Sequence, residues 1–159
     1  MKKLSAIGRI PLKAGICSTT TLFLIGYCLL FSLLSGTNSF SQGARLWATY
    51  YGGTAFDSGV DIATDASGNV YLAGQTESAS GIASGGFQNT YGGGWDAYLV
   101  KFNSAGARQW ATYYGGTVDD YGLSVVTDAS GNVYLGGQPT SASGIASGGF
   151  DNIYGGGGV

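Results

Sequence analysis

Histidine is absent from the 159 residues. That removes the commonest general base near neutral pH and the commonest metal ligand. There are two cysteines, Cys17 and Cys28, both in the hydrophobic N-terminal stretch. The remainder of the chain therefore has no disulfide, no thiolate nucleophile and no cysteine zinc site. Charge is sparse, with seven Lys and Arg against nine Asp and Glu and a net charge of −2. No basic patch is available to hold a phosphate backbone, which argues against nucleic acid as a partner. No stretch beyond the N-terminus shows a helical hydrophobic period. Glycine, by contrast, reaches 30 residues and tyrosine 11. A Gly-, Ser- and Tyr-rich composition can mean low complexity, so order has to be read from pattern.

The N-terminus reads as an address. Lys2, Lys3, Arg9 and Lys13 precede an apolar run at 21–34, and Ser39 and Ser41 place small side chains before Gln42. This is the layout of a secretory signal peptide over 1–41, with the apolar run near the ~7–15 residues of a hydrophobic region. The alternative is an uncleaved anchor, for which nearer ~20 apolar residues would be expected. Either way the expectation is a secreted or cell-surface protein, touching a membrane only through this segment if it stays uncleaved. About 120 residues then remain, enough for one small domain.

The strongest signal is an internal repeat. Trp-Ala-Thr-Tyr-Tyr-Gly-Gly-Thr at 47–54 recurs at 110–117, and Asp-Ala-Ser-Gly-Asn-Val-Tyr-Leu at 65–72 recurs at 128–135. The segment 78–87 recurs at 141–150, and Tyr-Gly-Gly-Gly at 91–94 recurs at 154–157. All share one offset, so nothing is inserted or lost between copies. A period above ~50 residues points to an array or propeller. Four strands fit each period: 58–64 (121–127 in the second copy), 70–74, 97–102 and 108–114. Turns at 65–69 and 103–106 separate them. Asp opens such turns by accepting backbone N–H bonds, and Gly and Asn tolerate a positive φ. The strands at 70–73 and 98–100 are apolar on both faces, as expected of a sheet sandwiched between neighbours.

These motifs, together with Phe-Gln-Asn-Thr-Tyr-Gly-Gly-Gly at 87–94 and Asp-Ala-Tyr-Leu-Val-Lys-Phe at 96–102, resemble the SBBP family, the bacterial β-propeller repeat. The resemblance runs from Ala44 to nearly the end. It implies an all-β fold of four-stranded antiparallel blades in secreted or surface-exposed bacterial proteins, and it transfers no catalytic residues. The expected organisation is a signal helix (1–41), the last strand of a preceding blade (42–57), a complete repeat (58–120) and a truncated second repeat (121–159). Because a closed propeller needs at least ~4 blades, about two blades imply a fragment of a longer protein, self-assembly of several copies, or an open fragment exposing sheet edges.

Candidate sites are few. Asp65/Asn69 and Asp128/Asn132 could be calcium loops, but each turn offers two obvious side-chain oxygens and a hairpin explains them without metal. The turn also differs from the sialidase Asp-box, because both Ala66 and Ser67 separate Asp from Gly. Asp57, Asp119 and Asp120 could form a carboxylate pair for glycoside hydrolysis, yet only Asp57/Asp120 recurs. Trp47, Trp110, Tyr50, Tyr51, Tyr113 and Tyr114 recur with the blade, which favours packing over ligand stacking. Trp95, Tyr91 and Tyr154 lie in long Gly-rich connections (76–94 and 139–157), where a ligand surface is expected. The sequence thus predicts a structural or adhesive scaffold for a protein or glycan, without catalysis, metal or cofactor. A lectin-like propeller is the alternative, and a hydrolase fragment follows behind.

Overall fold

The computed structural model describes residues 5–9, as backbone, and 45–156. Among them the architecture is all-β and antiparallel, with eight strands: β1 Ser5–Arg9, β2 Trp47–Tyr51, β3 Asp57–Thr64, β4 Val70–Thr76, β5 Asp96–Phe102, β6 Arg108–Tyr114, β7 Asp120–Thr127 and β8 Val133–Pro139. They form a four-stranded meander, β3-β4-β5-β6, flanked by the two-stranded sheets β1-β2 and β7-β8. The expected strands of both copies are all present. β3 and β7 each begin one residue before the boundary read from sequence, at Asp57 and Asp120.

The first turn follows from its residues. Asp65 Oδ1 accepts the N–H of Ser67 (3.0 Å) and of Asn69 (2.9 Å), Asn69 Nδ2 donates to Oδ2 (2.7 Å), and Gly68 takes φ 75°. Asp128 repeats this with Ser130 (2.9 Å) and Asn132 (2.8 Å and 2.7 Å), Gly131 standing at φ 84°. The carboxylate satisfies donors that the tight reversal leaves without ladder partners, and glycine supplies the left-handed backbone. Both hairpins therefore have the same register, running from Asp57↔Thr76 to Thr64↔Val70 and from Asp120↔Pro139 to Thr127↔Val133.

β4 and β5 are buried almost throughout, as expected of strands apolar on both faces. One face gathers Val70, Leu72, Tyr98, Val100, Phe102, Ala111 and Tyr113 against Tyr51 of β2 and against Ile82. The other gathers Tyr71, Ala73 and Leu99 against Val125 of β7. Each Val, Leu, Ile or Phe side chain among them contributes about 1.5–3 kcal/mol when fully buried, and neither face can be hidden by the meander alone. β7 lies beside β3, tied by the Val125 N–H to Asp61 Oδ2 (2.9 Å) and by Thr127 Oγ1 to the Thr64 carbonyl (2.9 Å). First strands of successive copies thus stand side by side, sheet stacked on sheet.

Two features were not foreseen. Ser5–Arg9 is a strand paired with β2, within the span read as the positive part of a leader. The expected signal helix otherwise falls on residues outside those described, as does the apolar run at 21–34. The connection after β4 is also not a free loop. Ser84 and Ala111 exchange backbone hydrogen bonds (2.9 Å each), the Tyr113 N–H donates to Gln88 O (2.9 Å), and Ile82 is completely buried. The connection covers the outer edge of β6, the kind of protection that an otherwise bare strand needs.

Candidate functional site

The polar residues converge where β3 and β5 begin and β4 and β6 end. Asp57, almost fully buried, accepts Thr76 Oγ1 at 2.5 Å through Oδ1, and Gly53 N–H (2.8 Å) and Ser78 Oγ (3.1 Å) through Oδ2. Asp120 does the same work in the next copy. It accepts the N–H of Thr140 (2.9 Å), Ser141 (3.1 Å) and Gly116 (2.7 Å), and Ser141 Oγ at 2.7 Å. Both carboxylates are surrounded by donors and hold the Gly-Gly approach against the end of the neighbouring strand. Gly53 has no room for more than hydrogen: a Cβ there would lie 2.1 Å from the Ser80 carbonyl oxygen. Asp119 is similarly engaged, Oδ1 accepting Trp95 N–H (3.0 Å) and Oδ2 the Tyr121 hydroxyl (3.1 Å).

A third buried carboxylate, Asp96, escaped the sequence reading. Its Oδ2 accepts Gly92 N–H at 2.7 Å, while its buried Oδ1 has no hydrogen-bond partner. Burial, with a further contribution from the nearby Asp120 charge, lifts its carboxyl to about 6. Burial outweighs the stabilising Gly92 N–H because a charge without full solvation or pairing is costly in a low-dielectric interior. A signal for Asp96 was present. Gly53, Gly92 and Gly116 each donate their N–H to an Asp four residues later, Asp57, Asp96 and Asp120. The shared Gly-x-x-x-Asp spacing marks the start of three strands.

The turn aspartates are filled in the same way. Besides its turn N–H groups, Asp65 accepts the Tyr71 hydroxyl (3.1 Å), and Lys101 Nζ approaches it at 4.0 Å. Asp128 accepts the Tyr134 hydroxyl at 3.0 Å. The hydrogen bonds from Asn69 and Asn132 hold these carboxyls below their ordinary range. Their surroundings present hydrogen-bond donors rather than the oxygen atoms that a calcium ion gathers.

The aromatic candidates are not brought together. Trp95 is half-buried, edge-on to Phe56 at 5.0 Å and 6.5 Å from Tyr121, so it wedges between the two stacked sheets. Tyr91 hydrogen-bonds the Gly94 carbonyl and lies 5.9 Å from Tyr113. Tyr154 stands apart in the second connection, on a cleft with Ile145 and Asp151. Of the repeating aromatics, Trp47 packs on Phe102, Trp110 on Tyr71, and Tyr51 and Tyr113 are buried. Tyr50 is 73 % exposed, and Tyr114 lines an open cleft. Phe87 and its counterpart Phe150 are 82 % and 108 % exposed. They recur in the repeated 78–87 segment, and their exposure could not be told from a repeating core position.

Residues 46–81 match the family described as SBBP, Beta-propeller repeat. The match runs from β2 through β3 and β4 into the edge-covering connection. No curated protein matches the chain.

Proposed function

From a chain that carries an SBBP β-propeller repeat at residues 46–81, we propose a repeat scaffold displayed outside the cell, which binds by shape and does no chemistry of its own. One observation carries this reading: the carboxylates that the sequence offered as catalytic or calcium-binding candidates are engaged in construction. Asp57 and Asp120 fasten the Gly-Gly approaches, Asp119 fastens Trp95, and Asp65 and Asp128 close turns. What remains free for a partner is shape, together with the exposed Phe87 and Phe150 on the connections. Export is supported by the basic segment, apolar run and small residues that precede Gln42.

The test is protease shaving of intact producing cells, with fractionation of cells and medium, following a tag after Val159. The proposal expects the tag in the medium or removed from intact cells. Tag retained wholly inside intact cells and released only on lysis contradicts it. A carbohydrate ligand is the second reading, favoured by the exposed Phe pair, since aromatic faces stack on sugar rings. Saturable binding on a glycan array, lost in the Phe87→Ala/Phe150→Ala variant, would select it over a protein partner.

A further inference from the structure

Most positions of the first copy recur in the second, and a position that packs the blade must recur with the blade. Positions that change chemical character are free of that constraint. Phe56 is replaced by Asp119, Ser58 by Tyr121, Glu77 by Thr140 and Trp95 by Gly158. The first copy's Phe56, Glu77 and Trp95 meet the second copy's Asp119 and Tyr121 at one end of the seam between the stacked sheets. Phe56 precedes β3, Glu77 follows β4, Trp95 precedes β5, and Asp119 and Tyr121 flank the first residue of β7. Trp95 lies 5.0 Å from Phe56 and 6.5 Å from Tyr121. Its backbone N–H is held by Asp119 (3.0 Å), and the Glu77 N–H donates to the Phe56 carbonyl (2.9 Å).

This end is acidic, because the buried Asp57, Asp96 and Asp120 open the same strands. Glu77 differs from the carboxylates engaged in construction. It is exposed, and among the described residues its side chain makes no hydrogen bond or ion pair. Tyr91 senses the same charges: its hydroxyl is raised first by burial, then by Asp96, Glu77 and Asp119. The described basic residues belong to the other end. Lys101 stands near the end of β5, Arg108 opens β6, Arg45 lies just before β2, and Arg9 pairs with Trp47. That end shows an ammonium held between a ring and a carboxylate: Lys101 Nζ is 5.1 Å from the Tyr71 ring centroid and 4.0 Å from Asp65 Oδ2. The seam has the rings and the carboxylate without the cation.

We infer that the seam takes a Lys or Arg side chain of a partner protein, with Glu77 as counter-ion and the Trp95 and Phe56 rings along its stem. The inference rests on the reading of the chain as a scaffold that binds a partner, and it gives that partner a chemistry. Long basic side chains lay an apolar stem on rings while the charged head meets a carboxylate. Asp119, already accepting two hydrogen bonds, positions Trp95 and adds to the negative field.

The test titrates the chain, as recovered from cells, with pentalysine at pH 7 and follows the indole N–H NMR signals of its three tryptophans. Trp47 opens β2 and Trp110 lies in the first half of β6, so both report on the other end. The expected result is a saturable shift of the Trp95 signal alone. Glu77→Thr installs the residue that the second copy carries as Thr140, and should weaken binding at least about threefold, as for loss of an exposed ion pair. Unmoved Trp47 and Trp110 signals verify its fold, and Glu77→Gln replaces it should it unfold. No shift at Trp95, equal shifts at all three indoles, or equal affinity of the variant overturns the inference. So does a Trp95 signal moved by maltopentaose and not by pentalysine, which would make the ligand a neutral glycan. A chain retained inside cells would defeat the display reading while leaving this titration standing, whereas a silent titration defeats the seam site alone.

Discussion

Three aspartates open strands four residues after a glycine whose N–H they accept, yet their surroundings differ. Asp57 and Asp120 each gather backbone N–H groups and hydroxyls, so removing either carboxylate strands several buried donors. Asp57→Ala should destabilise the protein by about 3 kcal/mol or more in urea denaturation, against tenths for an exposed loop aspartate. Asp96 behaves in the opposite sense. Folding raises its carboxyl from an ordinary value of 3.8 to about 6, so the folded state holds a proton that the unfolded chain releases. Its contribution should make stability fall as pH rises from 3.8 to about 6, then level off. Asp61, Asp65 and Asp128, held low by hydrogen bonds from Val125, Asn69 and Asn132 respectively, lose their contribution only as pH falls below 3.8. Asp96→Asn should therefore raise the denaturation midpoint at pH 7, leave it nearly unchanged at pH 4, and remove most of the slope between. An unchanged slope in the variant would place the titrating group elsewhere.

At the scale of elements, the turns were the most legible part of the sequence. Asp65 to Asn69 carries the turn's hydrogen-bond scheme within five residues, and its exact recurrence at 128–132 predicted the second hairpin. The strands at 70–73 and 98–100 were readable because apolar residues on both faces leave few alternatives. The connection after β4 was not readable. Gly, Ser and Ala at 78–86 carry no strand pattern, and what holds them is non-local: backbone bonds to β6 and burial of Ile82 beneath Tyr51, whose hydroxyl donates to the Ile82 carbonyl (2.6 Å). Sequence could treat this stretch only as a loop open to ligands. Trp95 looked like a loop aromatic for the same reason, because its neighbours, Phe56 just before β3 and Tyr121 in β7, are distant in sequence. If Ile82 anchors the edge cover, Ile82→Ala should cost about 2–4 kcal/mol. It should also speed exchange most at Ala111 and Tyr113, whose N–H groups donate to that connection. Exchange rising equally at every strand would mean that Ile82 supports only the core.

For the whole molecule, stability and function rest on sheet stacked against sheet. β2 and β7 each cover one face of the meander, and the exposed Phe87 and Phe150 recur because the unit that carries them recurs. Among the described residues β4 is flanked on both edges and β8 on one. That difference was expected from the sequence, in which 121–159 reads as a truncated second repeat.

The most direct measurement is hydrogen exchange of the two matching strands within one sample of the isolated protein. Val-Tyr-Leu at 70–72 and at 133–135 lie in the same local sequence, so their intrinsic exchange rates are nearly equal and any contrast reports the neighbouring strand. The amides of β4 should exchange only with global unfolding, and those of β8 at least about tenfold faster, as expected for a sheet bordered on one side. Equal protection of the two strands would contradict the account of a four-stranded blade stacked on a sheet that, among the described residues, has only β7 and β8.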